Sequence, residues 1–442
     1  MIKKTPIQRH RWFDDWRYPA ADPLHDLAFD IAAELDRLEK ERRMRRRRSS
    51  VECQREQAIA IIVANLAHAV LVPPDTGRLG IVLGKVTQKP SRYRSPASGR
   101  LRTLLIDQLE ELGLLSVQRS RRRAEASSIA PTGEFCTLMM RRSITDCCIG
   151  RLAREETVVV KTKPNREQPT KTLLIDYPDT AETIAMRKRI EALNEFISEA
   201  DITFLADGLG TVDVHDRVMR RKFRCSSEGG VRLDENGRLF GGFWQRLKRE
   251  RRSNLRINGE RCAEVDYSSM FARLAYANVM VEPPPGDLYA IPGLEPYRPA
   301  VKLLINAMFF DEHRRRSWPH EGGIEIPPEW SVGKARRAIL ERHPALDCCF
   351  GVGLGHTFMF KESEIILTVL DELREMNVVA LNLHDGVIVA HSDVDIVRAT
   401  MTSVSERLTG RALPVAVKPG CPSFAENTTT NRQAPPTSTL HS

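Results

Sequence analysis

Two apolar runs that end in aspartate constrain this chain more than any other feature. One, Cys262-Ala263-Glu264-Val265, leads into Asp266-Tyr267-Ser268; the other, Val378-Val379-Ala380-Leu381-Asn382-Leu383, leads into His384-Asp385-Gly386. Short apolar runs bounded by turn residues read as strands. Asp266 therefore sits at a strand end and Asp385 at the tip of a hairpin. A pair of carboxylates so placed suits two Mg²⁺ ions, with Mn²⁺ as a substitute, and such ions clamp the attacking and leaving oxygens of a phosphoryl transfer. Between the aspartates lies Arg298-Pro299-Ala300-Val301-Lys302, two cations one helical turn apart and suited to a triphosphate. Capping aspartates and an amphipathic helix with a cationic edge are the plainer alternatives.

Composition narrows the class. The 442 residues have room for about three average domains, and 41% hydrophobic with 28% charged residues is a globular balance. No apolar run approaches the roughly 20 residues of a membrane helix, and the N-terminus lacks a secretory apolar core. The nine cysteines form no C-x-x-C, so neither a zinc ribbon nor a disulfide framework is expected. These features point to a cytoplasmic protein without a membrane partner. The net charge of +9 favours polyanions, and the basic residues cluster at Arg42–Arg48, Arg119–Arg123 and Lys248–Arg252. Solvated helix faces remain the alternative for these clusters.

Along the chain, Leu27, Ile31, Leu35 and Leu38 recur at helical spacing, and residues 55–70 form a second helix stopped by Pro73-Pro74. Residues 102–115 form an amphipathic helix, followed by a turn and a basic hairpin. That order resembles a winged helix, with a helical bundle and surface hairpin as the alternative. Residues 151–178 alternate as two strands. A helix runs from Thr180 to about Glu199 with Thr183, Met186, Ile190, Leu193 and Phe196 or Ile197 on one face, and residues 201–250 read as irregular. From 254 strands and helices alternate, and the Pro- and Thr-rich tail from Pro422 has the composition of disorder.

The block from about 234 to 420 resembles the palm and reduced fingers of a family A DNA polymerase, the DNA polymerase I type. Asp266-Tyr267-Ser268, followed by Arg273, matches that family's motif A, D-Y-S-x-x-E-x-R; Arg298 and Lys302 match the start of motif B, and His384-Asp385 matches motif C. Upstream, Asn236-Gly237-Arg238-Leu239, Trp244-Gln245 and Arg252 are similar to the T-G-R-L segment that tracks the primer–template minor groove. The resemblance covers under half of the chain. It implies metal ligation by Asp266 and Asp385, phosphate binding by Arg298 and Lys302, and proton donation to pyrophosphate by Lys302. It also implies nucleotide contacts by Arg273, Phe271 and Phe310, and nucleic-acid contacts by Arg238, Gln245, Arg252 and His384. Phe271 stands where the family carries Glu, suited to a steric gate against a ribose 2′-hydroxyl or to core packing. Phe310 stands near the family's stacking Tyr.

Three departures accompany the match: Gly386 replaces the motif C Glu, Phe309-Phe310-Asp311 replaces Tyr-Gly in motif B, and the intervals between motifs are short. Phage-type single-subunit RNA polymerases also lack that Glu, and Asp234-Glu235-Asn236-Gly237-Arg238 is similar to their D-x-x-G-R element. The expectation is an α+β polymerase right hand: an antiparallel palm sheet backed by helices at 234–421, reduced fingers, and a helical thumb-like region at 151–233. A basic, mainly helical region at 1–150 would precede it, with a disordered tail at 422–442. The expected activity is template-directed nucleotidyl transfer, foremost DNA-directed DNA synthesis on a primer–template with nucleoside triphosphates. The stripped-down architecture fits a phage or other mobile element. An RNA polymerase or primase, and an inactive DNA-binding palm, are the alternatives.

Overall fold

The computed structural model describes residues 11–40, 48–83, 91–120, 125–163, 172–225 and 231–418. The arginines at 42, 43 and 45–47, those at 121–123, and the tail from Pro422 lie outside the described residues. The chain divides into two compact units, residues 1–156 with 208–213, and residues 157–207 with 214–442. Among the described residues no helix is long and apolar enough to cross a membrane.

The first unit contains β1 (Arg11–Trp12), β2 (Arg17–Pro19), α1 (Asp22–Lys40), α2 (Ser49–Leu71), β3 (Leu79–Ile81), α3 (Gly99–Glu111), β4 (Leu115–Gln118), β5 (Ser127–Pro131), α4 (Gly133–Arg141) and β6 (Ile149–Arg151). Its core gathers Leu27, Ile31 and Leu35 of α1 against α2, which is buried along Ala58–Ala69. Burying Asn65 and His68 inside α2 demands partners. Asn65 donates to the Asp14 carbonyl at 2.8 Å, and His68 lies between Arg17 at 2.8 Å and Asp213 at 3.1 Å. After α3, Gly113 takes φ +72° and the chain turns into the β4–β5 hairpin, within a sheet of order β1-β3-β5-β4. Helix, turn and hairpin thus occur in the expected order.

The second unit is mixed α+β with mainly antiparallel sheets. It begins with β7 (Val158–Thr162), α5 (Ala181–Glu199), β8 (Ile202–Phe204), β9 (Met219–Cys225) and β10 (Asn236–Gly241). Thr180 and Thr183 form a reciprocal cap that starts α5, and the expected face is buried, with Ile197 rather than Phe196 in the stripe. Two expectations fail. Residues 172–178 make only an isolated bridge, Leu174 to Lys161, instead of a strand. Residues 201–250 are not irregular, because β8, β9 and β10 cross them. The inward row of β9 is Met219, Arg221, Phe223 and Cys225, and the arginine in that row disguises the apolar alternation.

There follow α6 (Arg249–Arg252), β11 (Leu255–Ile257), β12 (Glu260–Tyr267), α7 (Met270–Asn278), α8 (Arg298–Phe310), α9 (Val332–Arg342), α10 (Gly355–Glu375), β13 (Ala380–Asn382), β14 (Gly386–Ala390), α11 (Val394–Thr409) and β15 (Val415–Lys418). Asn258 and Gly259, both at positive φ, close the two-residue β11–β12 hairpin. The main sheet runs β13-β14-β12-β11-β8, and β15 also pairs with β12. Helix α10 carries a stripe of Phe358, Ile365, Ile366, Val369 and Leu373 into the core and packs on α7, α8, α11, β10 and β13. Pro299 opens α8, where its missing N–H costs nothing.

Register fixes the site. Asp266 pairs with Gly386, and a Cβ on Gly386 would collide with the Val265 carbonyl and lie 2.7 Å from the Asp266 Cα. Gly386→Ala is therefore expected to push β14 off β12 and cost about 1–3 kcal/mol. Chemical denaturation measures it, and an unchanged midpoint would contradict the packing account.

Candidate functional site

Strand β12 delivers Asp266 to the sheet end, and the β13–β14 turn delivers Asp385 beside it. The Tyr267 N–H donates to the Asp385 carbonyl at 2.9 Å, and Asp266 faces Gly386, the next residue along. Backbone pairing alone thus brings the two aspartates together. Asp266 is 9% exposed and its Oδ2 accepts from the Lys418 ammonium of β15. Burial raises the Asp266 carboxyl above the usual range, Asp385 and Glu264 add to the rise, and Lys418 opposes it. Asp385 is half-buried and makes no ion pair among the described residues.

The cations of α8 are arranged around Tyr289. Arg298 binds Asp287 through two nitrogens, one at 3.0 Å, and its guanidinium stands 5.5 Å from the Tyr289 ring centre. The Lys302 ammonium lies 5.9 Å from the same ring and its side chain is exposed. Burial pushes the Tyr289 hydroxyl up to about 12; Arg298 lowers it and Asp385 raises it. Tyr289 therefore lies within the electrostatic reach of both the α8 cations and Asp385. Asn306, one turn beyond Lys302, has a buried side-chain oxygen that accepts no hydrogen bond from the described residues.

An aromatic row runs from Phe271 through Phe310 to His356. Phe271, at the start of α7, lies 5.7 Å from Phe310, and Phe310 meets His356 edge-on at 5.1 Å. The Arg238 guanidinium stands over the other neighbour, the Phe271 ring, at 5.6 Å, and it pairs with Glu362 of α10. Glu362 is 1% exposed. Burial pushes its carboxyl up to about 8, Arg238 pulls it down, and Asp385 adds to the rise.

The remaining candidates make contacts within the protein. Arg273 bends back to donate to the Ser268 carbonyl at 3.0 Å, bracing the turn before α7. The Gln245 amide donates to the Leu239 and Asn382 carbonyls at 3.2 and 3.3 Å and accepts from the Gly241 N–H. Arg252 holds Glu264 at 3.2 Å, and the His384 ring rests edge-on against Phe240 at 5.3 Å. Arg273, Gln245 and Arg252 thus brace the strands and turns they touch.

Three side chains join this cluster without having been singled out from sequence: Lys418, Tyr289 and Glu362. Glu362 alone left a signal, a charge inside the apolar stripe of Phe358, Ile365, Ile366 and Val369. Among the described residues no group of three or more His, Cys, Asp or Glu side chains is arranged around a metal position. The donor set nonetheless fits Mg²⁺, a hard ion that one or two carboxylates hold with water and substrate phosphates, and Asp266 already attracts a cation in Lys418.

No protein-family model matches the chain, nor does any curated protein. Among solved structures it is similar to the POL domain of Pol1 from M. smegmatis in complex with DNA primer–template and dNTP, at 10% identity and a TM-score of 0.31. The likeness covers 90% of this chain and 66% of that one.

The Glu362 environment sets a pH dependence. Its folded-state pKa is raised from 4.5 to about 8, so the native protein keeps a proton that the unfolded chain releases. The associated stability is present below about pH 4.5 and lost as pH rises through about 8. Wild type is expected to lose stability relative to Glu362→Gln across that interval. Denaturation at both ends checks this, and parallel pH profiles would contradict it.

Proposed function

We propose that the chain is a template-directed nucleotidyltransferase, foremost a DNA polymerase extending a primer. The observation that carries the reading is the register of β12 against β14, which sets Asp266 beside Asp385 with Arg298 and Lys302 clustered on Tyr289 nearby. The order of acid, cationic helix and acid supports the same reading, as do the motif resemblances of the sequence.

In this proposal Asp266 and Asp385 hold Mg²⁺, whose contribution when bound is charge neutralisation on the phosphates and a lowered pKa at the primer hydroxyl. Lys302, exposed and one helical turn inward from Arg298, meets the triphosphate and gives a proton to the leaving pyrophosphate. Arg298 reaches the phosphates once it parts from Asp287. Phe310 stacks on the incoming base, and Phe271 lies where a ribose 2′-hydroxyl would meet it. Arg238 and His384 border the primer end, while Gln245, Arg252 and Arg273 act through the elements they brace.

Gly386 bears on the DNA-versus-RNA choice. Its Cβ direction is filled by β12, so this site takes two carboxylates where the DNA polymerases of the resembled family add a third. An RNA polymerase or primase is therefore the second reading. The basic first unit, with its hairpin beside α3, would contribute nucleic-acid binding in either case.

Extension of a labelled primer–template with Mg²⁺ and dNTPs or NTPs tests the proposal. Asp266→Asn and Asp385→Asn are each expected to lower extension by at least about 10²-fold. Extension that survives both substitutions, or none by wild type on primed and unprimed templates, would overturn it. Phe271→Ala is expected to raise ribonucleotide use relative to deoxynucleotide use; unchanged sugar selectivity would leave the ring as core packing.

A further inference from the structure

We propose that Lys418 is the built-in counter-ion of Asp266, neutralising the carboxylate until a divalent ion displaces it, and so setting the affinity of the site for that ion. The inference rests on the reading of Asp266 and Asp385 as the ion ligands.

Strand β15 pairs antiparallel with β12, with Lys418 opposite Glu264 and Ala416 opposite Asp266. Opposed residues share a sheet face, and so do residues two apart on one strand. Glu264, Asp266 and Lys418 therefore project from the same face. Glu264, the direct cross-strand neighbour, is held by Arg252 at 3.2 Å, and the Lys418 ammonium reaches diagonally to Asp266 Oδ2. The Lys418 side chain is 41% exposed while that of Asp266 is 12% exposed. The ammonium can thus leave toward solvent on its flexible stem without unpairing β15.

Two consequences follow from elementary electrostatics. An ammonium on Oδ2 occupies an acceptor position and repels a second cation at short range, so an ion arriving alone meets a carboxylate already satisfied. Among the described residues Asp385 has no cation of its own, and one ammonium cannot neutralise two carboxylates. The site therefore keeps a pull on divalent ions while holding any single one weakly. An ion that arrives with a triphosphate brings anionic oxygens with which a displaced Lys418 can pair.

Mn²⁺ binding by the full chain, followed by the electron paramagnetic resonance of the free ion without nucleotide or nucleic acid, tests this. Lys418→Met and Lys418→Ala, with thermal melts as the folding check, are expected to bind Mn²⁺ about ten-fold tighter than wild type. Lys418→Arg is expected to keep wild-type affinity, and adding Asp266→Asn to Lys418→Met to remove the gain. If folded Lys418→Met and Lys418→Ala bind Mn²⁺ no tighter than wild type while Asp266→Asn still weakens binding, the counter-ion proposal falls and the ion site stands. If Asp266→Asn changes Mn²⁺ binding in neither background, both readings fall.

Discussion

The pairing of β12 with β14 is the interaction on which the rest of the site depends. Sheet register has a period of two, so a slip of one residue would turn Asp266 to the opposite face. Here the register is pinned from several directions. Four apolar residues in a row, Val387 to Ala390, are buried along β14, β15 pairs along the end of β12, and Gly386 lets the two backbones approach where no side chain would fit. The carboxylates are thereby positioned by main-chain geometry, which is stiffer than any loop. The same close approach explains why the residue after Asp385 is glycine.

Helix α10 organises the charges around that sheet end. It carries Glu362 to Arg238 and Glu364 to Arg221, and Arg189 of α5 reaches Glu364 at 3.2 Å and also Asp371. Burying ions is costly, and a buried pair is repaid only when its remaining donors and acceptors are satisfied. Arg221 meets this condition by donating also to the Gly237 carbonyl at 2.8 Å, an oxygen shared with the Ser363 hydroxyl. Gly237 immediately precedes Arg238, so α10 grips β10 at two consecutive residues. A polar core of this kind is weak evidence for stability but strong evidence for positional specification of Arg238.

Much of this was legible in the sequence, and the illegible part has a common cause. Asp266 and Asp385 stood out because apolar runs led into them, and α5 and α8 because apolar periodicity or an initiating proline is local information. Strand β9 was hidden because Arg221 occupies an inward position, and its partner Glu364 lies far along the chain. Lys418 looked like the ordinary polar end of a short strand, and only the β12–β15 register reveals whose neighbour it is. Gln245, Arg252 and Arg273 matched motif positions, yet the structure uses their side chains to hold carbonyls and a neighbouring carboxylate. Spacing announces residue type and element, whereas tertiary pairing decides what each side chain touches.

Those pairings leave an uneven electrostatic field. Around the sheet end Asp266 is matched by Lys418, Glu264 by Arg252, Asp287 by Arg298 and Glu362 by Arg238. Asp385 has no such match among the described residues, and its charge raises the pKa values of Asp266, Tyr289 and Glu362 together. An unbalanced carboxylate beside Asp266 is a focus for a cation, because a cation there relieves the repulsion between the two. The exposed Lys302, beside Tyr289, offers the opposite charge within the same cluster. A partner carrying both a divalent cation and phosphate oxygens would therefore satisfy the two imbalances together. Neither a free ion nor a free anion would do so alone.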